Sequence, residues 1–261
     1  MLRAGDASEF GGITPKRGMA YGVDSMKKEF YSLRQARYHA LAFDLQQIAT
    51  EYQEKGRRLK VLEIGIWDGI TKKYLDVWPS ARNIDLHGAD IQLRDVYQKS
   101  AWAGFFLGDL MEGYQNIPSN EFDIVICEQV LEHLPELETP VRTLERVLRP
   151  GGTLFVGVPI FPFGLHLVRK YIVPKIDKMN PYAKKRGHVQ AFSQRSFIDL
   201  IQKLTTLKIE SIRGFRVVSG GILRPLENLR PWWQLNRWIG RRVPWICTEI
   251  QVIAHKAEPA L

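Results

Sequence analysis

Cysteine is scarce: Cys127 and Cys247 are the only two, and 120 positions separate them. One pair so far apart gives no metal-knuckle spacing, and no disulfide scaffold is expected. Long uncharged runs are also missing. The longest, Gly151 to Val168, is interrupted by Gly157, Pro159, Pro162 and Gly164. A membrane-spanning helix needs roughly 20 mostly apolar residues, so this run reads as a buried strand followed by a covering loop. No internal repeat is visible. The opening stretch, MLRAGDASEFGGITPKRG, lacks an apolar core, so no secretory leader and a cytoplasmic location are expected. Disorder is excluded by composition, with 45% apolar and 25% charged residues. A chain of 261 residues can bury the core of one large α/β domain.

The net charge of +9 is uneven. Arg169–Arg186 carries seven Lys or Arg against Asp177 alone, and Arg213–Trp245 carries seven Arg against Glu227 alone. These two stretches hold +12, so the rest of the chain is −3. Such segments attract anions: phospholipid, a phosphorylated substrate or nucleic acid. The second stretch also holds Trp232, Trp233, Trp238 and Trp245, four of the seven tryptophans. Arginine with tryptophan suits a membrane interface or a single-stranded nucleic-acid groove. It equally suits a packed subdomain over the active site with the aromatics as core, which is the reading preferred here.

Hydrophobic periodicity supplies the fold. Residues 1–20 read as a flexible segment. A helix capped at Asp24 and Ser25 is expected to run to about Glu54, ended by Gly56, with Phe30, Leu33, Ala36, Ala40, Phe43, Ile48 and Tyr52 on one stripe. Apolar strands are predicted at LKVLEIG, Ile84–Ala89, Gly104–Leu107, FDIVICE, GTLFVGVP, Lys208–Ile212 and Thr248–His255. Helices are predicted at Thr71–Val77, Thr139–Leu148 and 194–204, the last capped by Ser193. The alternation implies an α/β fold: a doubly wound, seven-stranded, mostly parallel sheet with helices on both faces.

In such a sheet, ligands bind beyond the carboxyl ends of the strands. Glu63 sits inside the first strand, before the turn Gly65-Ile66-Trp67-Asp68-Gly69. Asp90, Asp109 and Glu128 end the next three strands. Four carboxylates at consecutive strand ends are expected to form one crevice. Asp90 follows Gly69 by 21 residues, the spacing of an acid that takes ribose hydroxyls. A nucleoside is therefore expected. A dinucleotide is not: Trp67 occupies the second glycine position of Gly-x-Gly-x-x-Gly, and Glu63 would repel a pyrophosphate. The acids suit S-adenosylmethionine, which carries adenosine, a cationic sulfur and an ammonium group.

VLEIGIWDG, HGADIQ, GDL, FDIVICEQVLEHLP and LRPGGTLFVGVP, in that order, resemble the motifs of class I S-adenosylmethionine-dependent methyltransferases. The likeness covers about residues 59–160, and HVQAFS with its following helix extends it to about 212. The group containing the ubiquinone-biosynthesis enzymes (methyltransferase type 11) looks most similar. The resemblance implies a Rossmann-like domain over 57–261, a helical lid over 21–56 and an Arg/Trp-rich insertion at about 213–245. It places Glu63 and Gly65 at the methionine end, with Ile66, Asp68 and Gly69 also among the cofactor-binding residues. Asp90 would take the ribose and Ile91 would pack on adenine. Asp109 and the Leu110 N–H would meet the adenine edge, with Glu128 near the methionine part. Trp67-Asp68 departs from the usual glycine-rich turn.

An oxygen acceptor must lose a proton, so a base is useful. The candidates are His133 and His188, with Tyr21, Tyr31 and Tyr38 as lid-borne alternatives. Relatives that bind a divalent metal use Glu-x-x-Glu-His; here Gln129 replaces the first Glu, so no metal is expected. The leading expectation is methyl transfer to an oxygen of a small or lipid-linked acceptor, with peripheral contact to an anionic membrane. A nucleic-acid methyltransferase is less favoured, because no RNA-binding motif is appended and the fourth strand ends in Cys127-Glu128-Gln129-Val130 rather than an amino-methylating signature. The third reading is a non-catalytic S-adenosylmethionine-binding protein.

Overall fold

The computed structural model describes residues 33, 36–67, 69–92, 101–161, 164–172, 189–217, 226–227 and 229–258. Helix α1 (Ala36–Glu54) leads into β1 (Leu59–Ile64), α2 (Ile70–Leu75), β2 (Ile84–Asp90) and β3 (Gly104–Leu107). Then follow β4 (Phe122–Glu128), α3 (Glu138–Val147), β5 (Leu148–Pro159), α4 (Gln194–Leu204), β6 (Lys208–Phe215), α5 (Arg230–Arg242) and β7 (Glu249–His255). The predicted flexible segment and the start of the first helix lie outside the described residues.

The sheet order is β3-β2-β1-β4-β5-β7-β6. All neighbours are parallel except β7, which runs antiparallel to both β5 and β6. Both faces of the central strands are covered, which is why those strands read as unbroken apolar runs. Val61, Ile124, Ile126, Phe155 and Ile253 face Leu41, Leu45 and Ala49 of α1. Leu62, Val125, Cys127, Leu154 and Val156 face Val141 and Leu144 of α3 and Phe197 and Ile201 of α4. Neighbouring residues on one strand thus serve opposite layers, as the two-residue period of a strand requires.

Local chemistry sets the ends. Ser193 caps α4, accepting from the Ser196 N–H, while the Ser196 hydroxyl receives the Ser193 N–H in return. β5 begins earlier than predicted: Leu148-Arg149-Pro150-Gly151 continues the strand, and the Gly151 N–H donates to the Lys256 carbonyl. The covering loop expected after β5 is instead partly helical, a turn at Leu165–Leu167 running into a π-helical turn at Val168–Ile172.

Within the Arg/Trp stretch, Arg230–Arg242 forms α5, with a proline in its first turn. Its buried positions are Trp233, Asn236, Arg237 and Gly240, one stripe at helical spacing. Trp233 packs with Ala36, Ala40 and Phe215, and Arg237 lies over the Phe215 and Trp233 rings at 5.0 and 5.6 Å. Trp238 and Trp245 are 54% and 60% exposed. The aromatics therefore divide, some into core and some onto the surface.

Phe155 is fully buried against α1. Phe155→Ala should lower unfolding stability by about 3–5 kcal/mol, from lost burial plus the cavity left behind. Urea unfolding checks this; a loss under about 1 kcal/mol would mean that α1 is not seated on the sheet as described.

Candidate functional site

The chain winds outward from β1 to β2 and β3, then returns to place β4 on the other side of β1. A crevice opens at that switch point, beyond the carboxyl ends of β1 and β4. A cavity of about 570 Å³ occupies it. Its wall includes Tyr38 from α1, Glu63 to Trp67 in part, Ile70, Asp90 and Ile91, Glu128 to Val130, His133 and Leu134.

The turn after β1 is shaped by backbone conformation. Gly65 has φ 77°, and a side chain there would collide with Val130 in the turn after β4. Its N–H donates to the Ala89 carbonyl at 2.8 Å, tying the turn to β2. Trp67 also sits in the left-handed region, at φ 41°, and its N–H donates to Asp90 Oδ2 at 3.3 Å. This departure from glycine is thus held by a hydrogen bond, and the indole stays exposed on the cavity rim. Gly69 precedes α2 at φ 63°; Asp68 lies outside the described residues.

Three of the four strand-end acids meet at the cavity. Glu63 is buried; Thr71 donates its hydroxyl to Oε1, and Oε2 has no hydrogen-bond partner among the described residues. Burial pushes this carboxyl up to about 8, the charges of Glu128 and Asp90 adding to the rise and the Thr71 hydrogen bond opposing it. Asp90 is fixed by the Ile91 N–H, 2.8 Å from Oδ1, and by the Trp67 N–H on Oδ2. Each oxygen keeps a second lone pair. Ile91 stands exposed beside it. The fourth acid differs: Asp109 caps the turn Leu110–Glu112 by accepting from the Met111 N–H at 2.8 Å, and the Leu110 side chain is core. Neither lines the cavity.

Glu128 is held from behind. Gln251 of β7 donates to Oε1 at 2.7 Å, and Arg37 of α1 stands 3.3 Å from Oε2 as an ion pair. Arg37 also pairs with Glu249 of β7, which Arg216 meets from the other side. Glu132, in the turn after β4, is wholly buried; neither carboxyl oxygen has a hydrogen-bond partner among the described residues, and burial pushes it up to about 8. Of the predicted bases, His133 lines the cavity and His188 lies outside the described residues. Tyr38 lines it too, its hydroxyl accepting from Arg37 at 3.3 Å.

Sequence reasoning missed Arg37, Gln251, Gln129 and Val130. Gln251 lies 123 residues from Glu128, and no local pattern announces the pairing. Gln129 has φ 58°, a conformation its residue type does not signal. Among the described residues no cluster of three or more His, Cys, Asp or Glu is arranged to hold a metal.

The site's chemistry can be tested against the expected cofactor. A buried carboxylate oxygen without a partner needs a donor or a cation, and Glu63 Oε2 supplies that need on the cavity wall. Asp90 offers acceptors where two hydroxyls could bind. The donor set therefore fits S-adenosylmethionine.

Residues 62–156 match the family model for a methyltransferase domain. The ubiquinone biosynthesis O-methyltransferase of Pseudomonas aeruginosa is 26% identical over 149 residues, 49% of this chain and 63% of that one. A demethylmenaquinone methyltransferase from Corynebacterium urealyticum is 23% identical over 227 residues, 74% of this chain and 97% of that one. Among solved structures, a protein assigned as a sarcosine dimethylglycine methyltransferase from Galdieria sulphuraria superposes with a TM-score of 0.56 at 18% identity, covering 87% and 86% of the two chains. Residues 62–156 are thus similar to methyltransferase domains, and the strand order and the superposition show that the chain has the fold of that solved structure.

Proposed function

We propose that the protein transfers a methyl group from S-adenosylmethionine to a hydroxyl oxygen of a small or lipid-linked acceptor, a quinone-like phenol being the favoured class. The observation that carries the reading is Glu63 Oε2, which has no hydrogen-bond partner among the described residues, beside Asp90 on the wall of one cavity. The names of the relatives, quinone-pathway methyltransferases, support the acceptor class; fold alone would not.

S-adenosylmethionine supplies a methyl group on a positively charged sulfur, so transfer is an in-line displacement. The chain's part is to hold the two reactants in line and keep water out. Glu63 and the Gly65 turn would hold the ammonium and sulfonium end, Asp90 the ribose hydroxyls, and Ile91 one face of the adenine. Asp109 and Leu110 would approach the adenine edge only through that ligand. Tyr38 and His133 border the remaining space, where the acceptor would sit.

The surface favours a lipid-side acceptor. Trp238 and Trp245 are exposed, and Arg242 lies 4.3 Å over the Trp238 ring. An indole with a neighbouring guanidinium suits an anionic headgroup region. Among the described residues no helix is long and apolar enough to cross a membrane, so this contact would be peripheral. Arg237, counted with the basic surface on sequence grounds, is buried and takes no part.

Binding of S-adenosylmethionine should weaken about 10- to 100-fold in Asp90→Ala, the worth of charge-assisted hydrogen bonds; calorimetry showing an unchanged Kd removes Asp90 from the site. A pH series tests Glu63. Burial holds this carboxyl up to about 8, so it is protonated at pH 6 and must release its proton to meet a cation. Affinity should therefore rise by up to about tenfold per pH unit between pH 6 and 8 and level off above. Glu63→Gln should flatten the profile, and a flat wild-type profile refutes the pairing.

Liposome binding should rise with anionic lipid and fall with salt. It should drop in Trp238→Ala/Trp245→Ala and in Arg241→Ala/Arg242→Ala. Co-sedimentation equal to wild type in both pairs would end the membrane reading.

A further inference from the structure

Among the described residues thirteen large apolar side chains are exposed, and all of them gather where the strands end on the cavity side. Leu107 ends β3, while Trp67 and Ile91 follow β1 and β2. The Val189 N–H donates to the Glu132 carbonyl in the turn after β4. Five more lie on Leu165–Ile172, which follows β5, and the last four belong to α5 and the links on either side of it. Helix α5 stays at this edge of the sheet. Its Trp233 packs on Phe215, the last residue of β6, and its Asn236 accepts from the Val217 N–H just beyond. Trp245 stands shortly before Glu249, which pairs with Pro159 and Phe215 at the same strand ends. The amino edge instead carries ion pairs of mixed sign, Arg58 with Asp85 and Lys60 with Glu121.

A ligand in the cavity would cover Trp67 and Ile91, which line it, and leave the others bare. Leu165–Ile172 is the clearest case. His166 is buried, while Leu165, Leu167, Val168, Tyr171 and Ile172 are 41–58% exposed. A helix that meets water does the reverse. Exposed apolar surface of this kind marks a contact, and charge identifies the partner. Leu165–Ile172 and Arg230–Trp245 contain no acid. Lys170 lies 5.6 Å over the Tyr171 ring, and Arg242 lies 4.3 Å over the Trp238 ring. The sequence from Arg169 to Arg186 adds seven Lys or Arg against Asp177 alone. Apolar and aromatic side chains interleaved with cations match an anionic bilayer, where acyl chains meet the former and headgroups the latter.

Glu128 of the cavity wall pairs with Gly157, two residues before β5 ends, so Leu165–Ile172 leaves the sheet on the cavity side. We propose that this side of the molecule enters the headgroup layer of an anionic membrane through Leu165–Ile172, together with Trp238 and Trp245. The cavity mouth then faces lipid, and the acceptor reaches it from the bilayer. The peripheral contact becomes an orientation: the site is served from the membrane rather than from water. Docking stands on the surface alone, whereas entry of an acceptor rests on the methyl-transfer reading.

Single cysteines carrying a polarity-sensitive nitrobenzoxadiazole label test the orientation in the full chain, whose native Cys127 and Cys247 are buried. Labels at Ile172→Cys and Val189→Cys should brighten and shift to the blue on vesicles of phosphatidylcholine with phosphatidylglycerol. The response should be several-fold weaker on phosphatidylcholine alone. A label at Lys55→Cys, exposed just before β1, should not respond. Leu167→Ser/Ile172→Ser should weaken vesicle partitioning about tenfold or more, because less apolar area leaves water. The same variant should bind S-adenosylhomocysteine as wild type does, which shows that it folds. No response to anionic vesicles, a Lys55 response equal to that of Ile172, or an Ile172 response without one from Val189 each overturns the proposal. So does undiminished partitioning of the serine variant, or a dimer in sedimentation that buries the Ile172 label without lipid, which would assign the face to a second copy of this chain. Vesicle docking by a wild type that binds no S-adenosylhomocysteine overturns the methyl-transfer reading and leaves the docking in place.

Discussion

Carboxylates buried where parallel strands end must be compensated, and this chain compensates them unequally. Glu128 leans on Arg37 and Gln251. Glu63 has the Thr71 hydroxyl on one oxygen and, among the described residues, no hydrogen-bond partner on the other. The difference divides one cavity into two chemical halves. The Glu63 and Asp90 side keeps unmet acceptor capacity and suits a cationic ligand with hydroxyls. The Glu128 side is already engaged by protein groups and has less to gain from a ligand. Electrostatic need, rather than shape, distinguishes the two ends.

That division depends on distant elements. Arg37 comes from α1 and Gln251 and Glu249 from β7, while α1 is itself seated by Leu41 and Leu45 on the sheet and by Ala36 and Ala40 on Trp233 and Phe215. A second ion pair, Asp44 with Arg213 of β6, joins α1 to the sheet edge. Apolar packing therefore supplies the affinity of α1 for the sheet, and the buried ion pairs fix which turn of the helix meets which strand, a registry role that such pairs can play. A shift of α1 along its axis would separate Arg37 from Glu128 and Tyr38 from the cavity together.

The central sheet was legible because its strands are buried on both faces and so appear as apolar runs. FDIVICE and Gly104–Leu107 occupy the span read from the sequence. The Gly65 turn, Asp90 and the Ser193 cap were legible because each depends on neighbours within a few residues. The cluster behind Glu128 was not, since its partners converge only after folding. Helix α5 was missed for a different reason: its buried stripe is Trp233, Asn236, Arg237 and Gly240, so hydrophobic periodicity is broken by the residues that define it. Asn236 is at home there because it accepts from the Val217 N–H and donates to the Trp232 carbonyl. Arg237 is at home over two aromatic rings. Four acids at strand ends suggested one crevice; three line it, and Asp109 is engaged in capping its own turn. A strand-end position thus brings a carboxylate near the crevice, but local N–H groups decide whether it remains available.

Gly157 shows how narrow the solution is. It pairs with Glu128 across β4 and β5, and any Cβ there would occupy the space of the Glu128 carboxyl. Without that gap, the carboxyl would have to leave Gln251 and Arg37, and the cavity that Glu128 borders lies beside it. Arg37 would lose one of its two carboxylate partners, and the acid cavity would gain an additional unneutralised charge close to Glu63. An acid at position 128 is therefore compatible with a cation-binding cavity only while position 157 carries no side chain, so the strand beneath limits Glu128 as firmly as the ion pair beside it.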